Sequence, residues 1–199
     1  GIRLTFINRD PGELDATGIV ADNPRIGRDV AQLLLDAGYT RIATVVGDQR
    51  LQTGIARSEA FRETIESSGR ARVVLRQGGV LGYEAGRRFV RQAMQGEQPP
   101  DAIFCSSDLT AIGVIEGARL DLGLDVPATL GVVGLGDSPY AAWGGNDLTT
   151  VSLPVERMID ASIETLMSES LAQGPRRIVL PAGLVRRGTV RLAPARPAH

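Results

Sequence analysis

Two aspartates follow short apolar runs of the chain and could accept hydrogen bonds from the hydroxyl groups of a polar ligand. The first run is Asp101-Ala-Ile-Phe-Cys-Ser-Ser-Asp108, and the second is Leu130-Gly-Val-Val-Gly-Leu-Gly-Asp137. A helical pattern lies between them. This order of strand, polar tip, helix, strand and polar tip is what a ligand cleft at the carboxyl edge of a parallel sheet requires.

Arg57 is a third side chain that could contact such a ligand. It opens a helical pattern after a glycine-containing polar loop that itself follows a strand pattern. At the carboxyl edge of a sheet, its planar guanidinium could bind a carboxylate or a pair of hydroxyls through two hydrogen bonds. A solvated surface arginine is the alternative, because arginines of globular proteins are mostly exposed.

The loop that follows the second acid allows two interpretations. Gly134-Leu-Gly-Asp137 resembles half of a dinucleotide-binding fingerprint. However, Ser138-Pro139 interrupts the position where a helix should hold pyrophosphate, which favours a tight glycine turn. Tyr140 and Trp143 could stack on a sugar face or simply fill the loop, and the second role is favoured.

The composition argues against catalysis and metal binding. The 199 residues include one histidine, which is the last residue, His199, and one cysteine, Cys105, inside an apolar strand pattern. A His-based triad, a multi-His or multi-Cys metal site and an internal disulfide are therefore not expected. We predict a binding protein that is not an enzyme and has no cofactor or metal. The enzymatic alternative is a doubly wound hydrolase or transferase.

The charge balance argues against direct contact with nucleic acid or membrane. All 22 basic residues are arginines, but 23 acidic residues leave a formal net charge of −1. No domain-wide basic field would attract DNA or an anionic membrane. No apolar stretch approaches the roughly 20 residues needed to span a bilayer.

Strand and helix patterns alternate along the chain and predict an α/β fold. Asn23-Pro24 is expected to cap the first helix, and Ser107 or Asp108 the fourth. Apolar spacing and glycine stops predict helices over residues 25–37, 57–68, 83–94, 109–122 and 155–172. Short apolar runs predict strands over residues 2–7, 41–46, 72–75, 101–105, 132–133, 147–152, 178–180 and 184–185. Four consecutive βα pairs predict a doubly wound parallel sheet with helices on both faces. Arg186-Arg187, beside the last strand, is expected to guard a sheet edge.

Several stretches together resemble the effector-binding core of LacI/GalR-type bacterial transcription repressors. These stretches run in the family's order: Phe6–Arg9, Val20–Asn23, Ala37–Ala43, Glu84–Gly86, Pro100–Phe104, Ser107–Gly113, Gly131–Gly134, Leu148–Val151 and Leu180–Thr189. The resemblance implies the periplasmic-binding-protein-like type I fold, in which two α/β lobes are joined by three crossovers and the effector lies between them.

The resemblance also implies a division of the chain into lobes. Residues 1–24 and 153–175 would be the remnant of an incomplete N-terminal lobe. Residues 25–152 and 176–192 would form the C-terminal lobe, and residues 193–199 a disordered tail. The DNA-binding headpiece would be absent from this chain and would lie upstream of it.

Seven effector-binding positions follow from the resemblance. They are Arg57, Thr53, Val80, Ser107, Asp108, Gly136 and Asp137. Val80 stands where the family has a stacking aromatic, Ser107 where it has Asn, and Gly136 where it has an acid that binds sugar hydroxyls. The two tips are most similar to those of the gluconate-repressor branch. Loss of one acid with retention of Arg57 suits an anionic effector, so we predict a sugar or sugar acid, with a sugar acid favoured.

The expected biological role is that of a cytoplasmic, homodimeric transcriptional regulator. Effector binding would favour one lobe orientation and thereby control operator DNA binding through a helix-turn-helix upstream of this chain. The alternative is a periplasmic or extracellular sugar-binding protein of an ABC transporter, which would require a signal peptide. Neither interpretation involves contact of this domain with a membrane.

Overall fold

Strands and helices alternate along the chain, as the sequence predicts. The computed structural model describes residues 4–48, 50–167 and 176–192. The helices are α1 (Asn23–Asp36), α2 (Gln52–Ser67), α3 (Tyr83–Ala93), α4 (Asp108–Glu116) and α5 (Val155–Met167). The strands are β1 (Thr5–Ile7), β2 (Thr17–Ala21), β3 (Arg41–Val46), β4 (Arg72–Gly78), β5 (Ala102–Cys105), β6 (Gly131–Val133), β7 (Thr150–Ser152), β8 (Arg177–Leu180) and β9 (Gly183–Val185). The predicted helical residues 168–172 and the tail 193–199 lie outside the described residues.

Four parallel strands in the order β4-β3-β5-β6 form the large sheet. Its side chains alternate between two cores. Ile42 and Phe104 pack in the core that contains residues of α1 and α2, whereas Ala43 and Ile103 pack with residues of α3 and α4. Helices cover both faces, which explains why the central strands are apolar throughout. The predicted doubly wound parallel sheet is confirmed.

The topology of the large sheet places a switch point at β3. β3 pairs with β4 on one side and with β5 on the other. The connections that leave β3 and β5 therefore pass to opposite faces, through α2 and α4 respectively. Such a switch point opens a ligand crevice at the carboxyl ends of the strands.

The small sheet contains β1, β2 and β8, all parallel, and α5 packs against β1 and β2. This sheet corrects one predicted boundary. Residues 176–192 do not all belong with the large sheet, because β8 pairs with Gly18–Ala21 of β2. Thr189 does lie at the large sheet, where its carbonyl accepts the N–H of Val132 at 2.8 Å.

Three segments connect the two sheets among the described residues. We name them the first crossover (residues 21–24), the second crossover (148–154) and the third crossover (181–187). β7 of the second and β9 of the third form an antiparallel pair. The second crossover also extends the large sheet through parallel bridges from Val133 to Thr149 and from Gly136 to Ser152.

Two helix starts differ from the sequence prediction. Asp22, not Asn23, caps α1, because its carboxylate accepts the N–H of Arg25 at 3.0 Å. The Asn23 side chain is thus available for other bonds. α2 begins at Gln52, so Thr53 lies in its first turn and Arg57 in its second rather than at its opening.

The start and the course of α4 also differ from the prediction. Ser107 occupies the N-cap position of α4, as one of the two predicted caps, and its carbonyl accepts the N–H of Ala111 at 3.0 Å, but its side chain makes no capping hydrogen bond. The predicted helix 109–122 continues beyond α4 as a π-helical turn over Gly117–Asp121. Gly123, with a φ of 63°, follows that turn.

α3 and α4 cross at unusually short range. Gly86 of α3 faces the carbonyl of Thr110, and Gly113 of α4 faces the carbonyl of Tyr83. A Cβ at either glycine would overlap that carbonyl, so only hydrogen fits there. The Gly82 N–H also donates to Thr110 Oγ1 at 2.8 Å, which fixes the start of α3 against α4.

Candidate functional site

The seven predicted residues follow strands of the large sheet at its carboxyl edge. Arg57 and Thr53 lie in α2 after β3, and Val80 lies in the loop after β4. Ser107 and Asp108 follow β5. Gly136 and Asp137 lie in the loop after β6, and this loop packs against Asp108.

Asp108 is buried, and both of its carboxylate oxygens already have protein donors. Its exposure is 3%. The Thr150 hydroxyl donates to Oδ1 at 2.5 Å, and the backbone N–H of Ser138 donates to Oδ2 at 2.6 Å. The backbone N–H of Asp108 donates to the carbonyl of Leu135 at 3.1 Å. The carboxylate therefore holds the loop after β6 and the second crossover.

The glycines of that loop are explained by Asp108 and not by a nucleotide. A Cβ at Gly134 would overlap Asp108 Oδ1, and one at Gly136 would lie 3.4 Å from Oδ2. Gly136 also has a φ of 136°, which disfavours any side chain. A 3-10 turn over Pro139–Ala142 follows, so the loop does not lead into an α-helix that could hold pyrophosphate.

Asp137 forms an ion pair with a residue of the third crossover. The Arg187 Nη2 donates to Asp137 Oδ1 at 2.8 Å, and the Arg187 Nη1 donates to the carbonyl of Leu148 at 2.8 Å. The side chains of Asp137 and Arg187 are 24% and 18% exposed. Arg187 is therefore a part-buried link between three segments, and the prediction that it guards a sheet edge is wrong.

Arg57 differs from both acids because the protein leaves its charge uncompensated. Its Nη1 donates to Asn23 Oδ1 at 2.6 Å, and its buried Nε has no hydrogen-bond partner among the described residues. The ion pairs of the described chain do not include it. Burial lowers the pKa of Arg57 to about 10, so the guanidinium is still charged at pH 7 but poorly solvated.

Two serine hydroxyls at this edge also lack partners. Ser106, at the end of β5, is buried, and its backbone N–H donates to the carbonyl of Val45 at 2.8 Å. Ser138 follows the loop after β6. The Oγ atoms of both residues are buried without a hydrogen-bond partner among the described residues. Buried hydroxyls are normally satisfied, so these two mark places where a polar ligand or water would bind.

Three of the predicted residues are neither buried nor hydrogen-bonded through their side chains in the described structure. Val80 is 85% exposed, and Thr53 and Ser107 are part-exposed without side-chain bonds in the described structure. Tyr140 and Trp143 form an edge-to-face pair with ring centroids 4.9 Å apart. Both rings remain half-exposed.

The described residues contain no group of three or more His, Cys, Asp or Glu side chains that could hold a metal ion. Burial, with a smaller contribution from the charge of Asp108, raises the pKa of the Cys105 thiol, as expected for a core cysteine.

In the part of the chain that the structure describes, no helix is long and apolar enough to cross a membrane.

Comparison with known proteins agrees with this geometry. The profile of the family described as "Periplasmic binding protein-like domain" matches residues 15–190. The chain belongs to this family. An uncharacterized HTH-type transcriptional regulator in the aml 5′ region of Streptomyces limosus is 31% identical over 98% of this chain and 56% of its own length. The chain spans about half the length of the curated relatives that it matches.

Solved structures of transcriptional regulators share this fold. A LacI transcriptional regulator from a Rhodococcus species superposes with a TM-score of 0.88 at 23% identity, over 96% of this chain and 71% of that one. A complex of the transcriptional regulator CelR with cellobiose gives a TM-score of 0.81 at 28% identity, over 93% and 58%. The predicted resemblance to LacI/GalR-type effector-binding domains is confirmed, whereas the gluconate-repressor branch stays a prediction.

The sequence does not predict that Asn23, Thr150 and Arg187 contact the candidate effector-binding residues. Thr150 lies 42 residues from Asp108, Arg187 lies 50 from Asp137, and Asn23 lies 34 from Arg57. The one available signal was that all three belong to stretches that match the regulator family.

Proposed function

We propose that this domain senses a small polyhydroxylated effector, with a sugar acid favoured over a neutral sugar, and transmits its binding to operator DNA. The proposal depends above all on Arg57, a part-buried cation at the switch point that has no counter-charge among the described residues. An uncompensated buried charge is costly, and an effector carboxylate would relieve that cost through charge-assisted hydrogen bonds.

The surroundings of Arg57 support the same ligand class. Ser106 and Ser138 offer hydroxyls that suit the hydroxyl groups of a sugar. Arg187 neutralises Asp137, and glycine occupies position 136 instead of an acid. The edge therefore carries less negative charge than a site built to bind neutral sugars through carboxylates. The cellobiose complex of CelR supports a sugar-derived effector in general, without indicating which sugar.

In this proposal the effector stabilises one relative orientation of the two sheets. A ligand can shift that equilibrium only by its difference in affinity for the two states. In the homodimeric, cytoplasmic regulator, the shift would alter the spacing of two DNA-binding headpieces. A transporter-linked sugar-binding protein is less favoured, because relatives such as the Streptomyces limosus protein are HTH-type regulators.

Titration calorimetry with D-gluconate and D-glucose tests the proposed ligand class. We expect gluconate to bind and glucose to bind at least about 10-fold more weakly, since a hydrogen bond to a charged group is worth about 1.5–3 kcal/mol. Binding of glucose without binding of gluconate or related acids would contradict the sugar-acid proposal and retain the effector-sensing role.

The matched variants for this measurement are Arg57→Gln and Arg62→Gln. Both positions lie on α2, but Arg62 pairs with Glu66 on the helix surface. Arg57→Gln should weaken gluconate binding by about 10- to 100-fold, and Arg62→Gln should leave it unchanged. Equal effects of the two variants would argue against a direct contact between Arg57 and the effector.

A further inference from the structure

Each of the three charged side chains at the candidate site is hydrogen-bonded to a different crossover. Arg57 donates to Asn23 of the first crossover at 2.6 Å. Asp108 accepts from Thr150 of the second at 2.5 Å, and Asp137 accepts from Arg187 at the end of the third at 2.8 Å. These segments are the three covalent connections between the sheets among the described residues.

We propose that Asn23, Thr150 and Arg187 are positioning residues that tie the effector site to the relative orientation of the two sheets. This inference rests on the proposed effector-binding function and adds a route by which binding is transmitted. In this proposal, the three residues do not themselves contact the effector. They hold the side chains around it in a geometry that depends on the crossovers.

The geometry of the crossovers supports this role. A rotation of one sheet relative to the other must change backbone dihedral angles in the connecting segments, because the strands on either side are held by parallel pairing. The second and third crossovers are joined to each other by β7 and β9, and Arg187 donates to the carbonyl of Leu148 at 2.8 Å. Movement of these crossovers therefore displaces the partners of both acids.

The hydrogen bond between the first crossover and Arg57 is one that a ligand can replace. Asn23 donates through Nδ2 to the carbonyl of Ala21 at 3.0 Å and accepts from Arg57 through Oδ1. An anionic ligand on Arg57 competes with a neutral amide oxygen, and charge-assisted bonds are the stronger ones. Asp108 and Asp137 already have protein donors, so their hydrogen bonds to the second and third crossovers persist. Only the bond between Arg57 and the first crossover is exchanged for a bond to the ligand.

Distance measurements between the sheets test the inference without any ligand. Nitroxide labels would be attached through Arg88→Cys on α3 and Asp160→Cys on α5, both exposed positions, in the natural full-length protein. Cys105 is fully buried and should not react. Pulsed electron resonance then gives the distribution of distances between α3, on the large sheet, and α5, on the small sheet.

We expect Thr150→Val to broaden this distribution and Thr150→Ser to restore its original width, because serine keeps the hydroxyl that Asp108 accepts. Arg187→Gln should also broaden it, and this variant serves if Thr150→Val fails to fold. An unchanged distribution in the folded valine and glutamine variants would overturn the inference, as would broadening that serine does not reverse.

The same labelled proteins separate this inference from the proposed function. With D-gluconate as the probe, Ser106→Ala should weaken binding but leave the distance distribution of the free protein unchanged. Thr150→Val should change both the distribution and the gluconate affinity, the latter by about 5-fold, a usual coupling magnitude. Failure of wild-type protein to bind gluconate would count against the sugar-acid proposal, whereas the distribution of free Thr150→Val would still decide the inference.

Discussion

The two sides of the candidate site differ in how completely the protein satisfies its own polar groups. On the side formed by the loops after β5 and β6, the carboxylates of Asp108 and Asp137 have protein donors at 2.5–2.8 Å. On the side formed by α2, Arg57 has one neutral partner in the described part of the chain, and its buried Nε has none there. Both sides follow strands of the same sheet.

This difference separates residues that build the site from residues that are available to a ligand. A carboxylate whose lone pairs already accept short hydrogen bonds gains little from a ligand hydroxyl, because binding would exchange one partner for another. A desolvated guanidinium without a counter-charge gains a great deal. We therefore expect substitutions on the acidic side to reduce stability and substitutions at Arg57 to reduce binding.

The largest expected effect on stability is that of Asp108→Ala. The substitution leaves the Thr150 hydroxyl and the Ser138 N–H without their acceptor and opens a cavity, which should cost about 3 kcal/mol of unfolding free energy. Urea denaturation monitored by circular dichroism measures it. Asp36→Ala, at an exposed position of α1, is the control and should cost less than about 0.5 kcal/mol. A loss at position 108 as small as that at 36 would contradict the structural role.

Gly134→Ala should rank second, with a loss of about 2 kcal/mol. The added Cβ overlaps Asp108 Oδ1 and approaches Leu148 Cδ2 at 2.9 Å, so the loop must shift. Gly144→Ala is matched to it, since a Cβ at Gly144 meets no atom within 4 Å. The same denaturation experiment applies, and similar stability of the two variants would show that the loop is not packed on Asp108.

Asp137→Asn should cost about 1 kcal/mol, because it removes the charge of a part-exposed ion pair with Arg187. Asn tolerates the left-handed backbone at this position, where φ is 52°, so the change reports on charge alone. The difference from wild type should shrink in 1 M salt, which screens the pair. A loss that is independent of salt would point to the hydrogen bond rather than to the charge.

Arg57→Gln should have the smallest effect on stability, within about 0.5 kcal/mol of wild type or slightly stabilising. The loss of the bond to Asn23 is offset by removal of a desolvated charge that has no counter-ion within residues 4–48, 50–167 and 176–192. Unchanged stability together with a loss of gluconate affinity would show that Arg57 serves binding, whereas Asp108 serves stability. A strong destabilisation would instead place Arg57 among the residues that build the site.

Elements with a strong local signal were predictable from the sequence. The strand Arg41–Val46 was predicted with the observed bounds, because a β-branched run ends at a glycine. The start of α2 was missed by five residues, since Gln52–Ala56 contains Gly54 and lacks a clear apolar face. The partners of the acids were not predictable, because Thr150 and Arg187 are brought to them by tertiary folding rather than by any local pattern.

The close crossing of α3 and α4 has a practical consequence. With only hydrogen at Gly86 and Gly113, the two helix backbones are in direct contact, so we expect the helices to move as one unit. The loop that carries Val80 and the turn that carries Asp108 begin these two helices, and we expect them to be displaced together. Since Val80 is 85% exposed, a fluorophore attached through Val80→Cys would convert motions of the buried carboxylate into an optical signal without touching it.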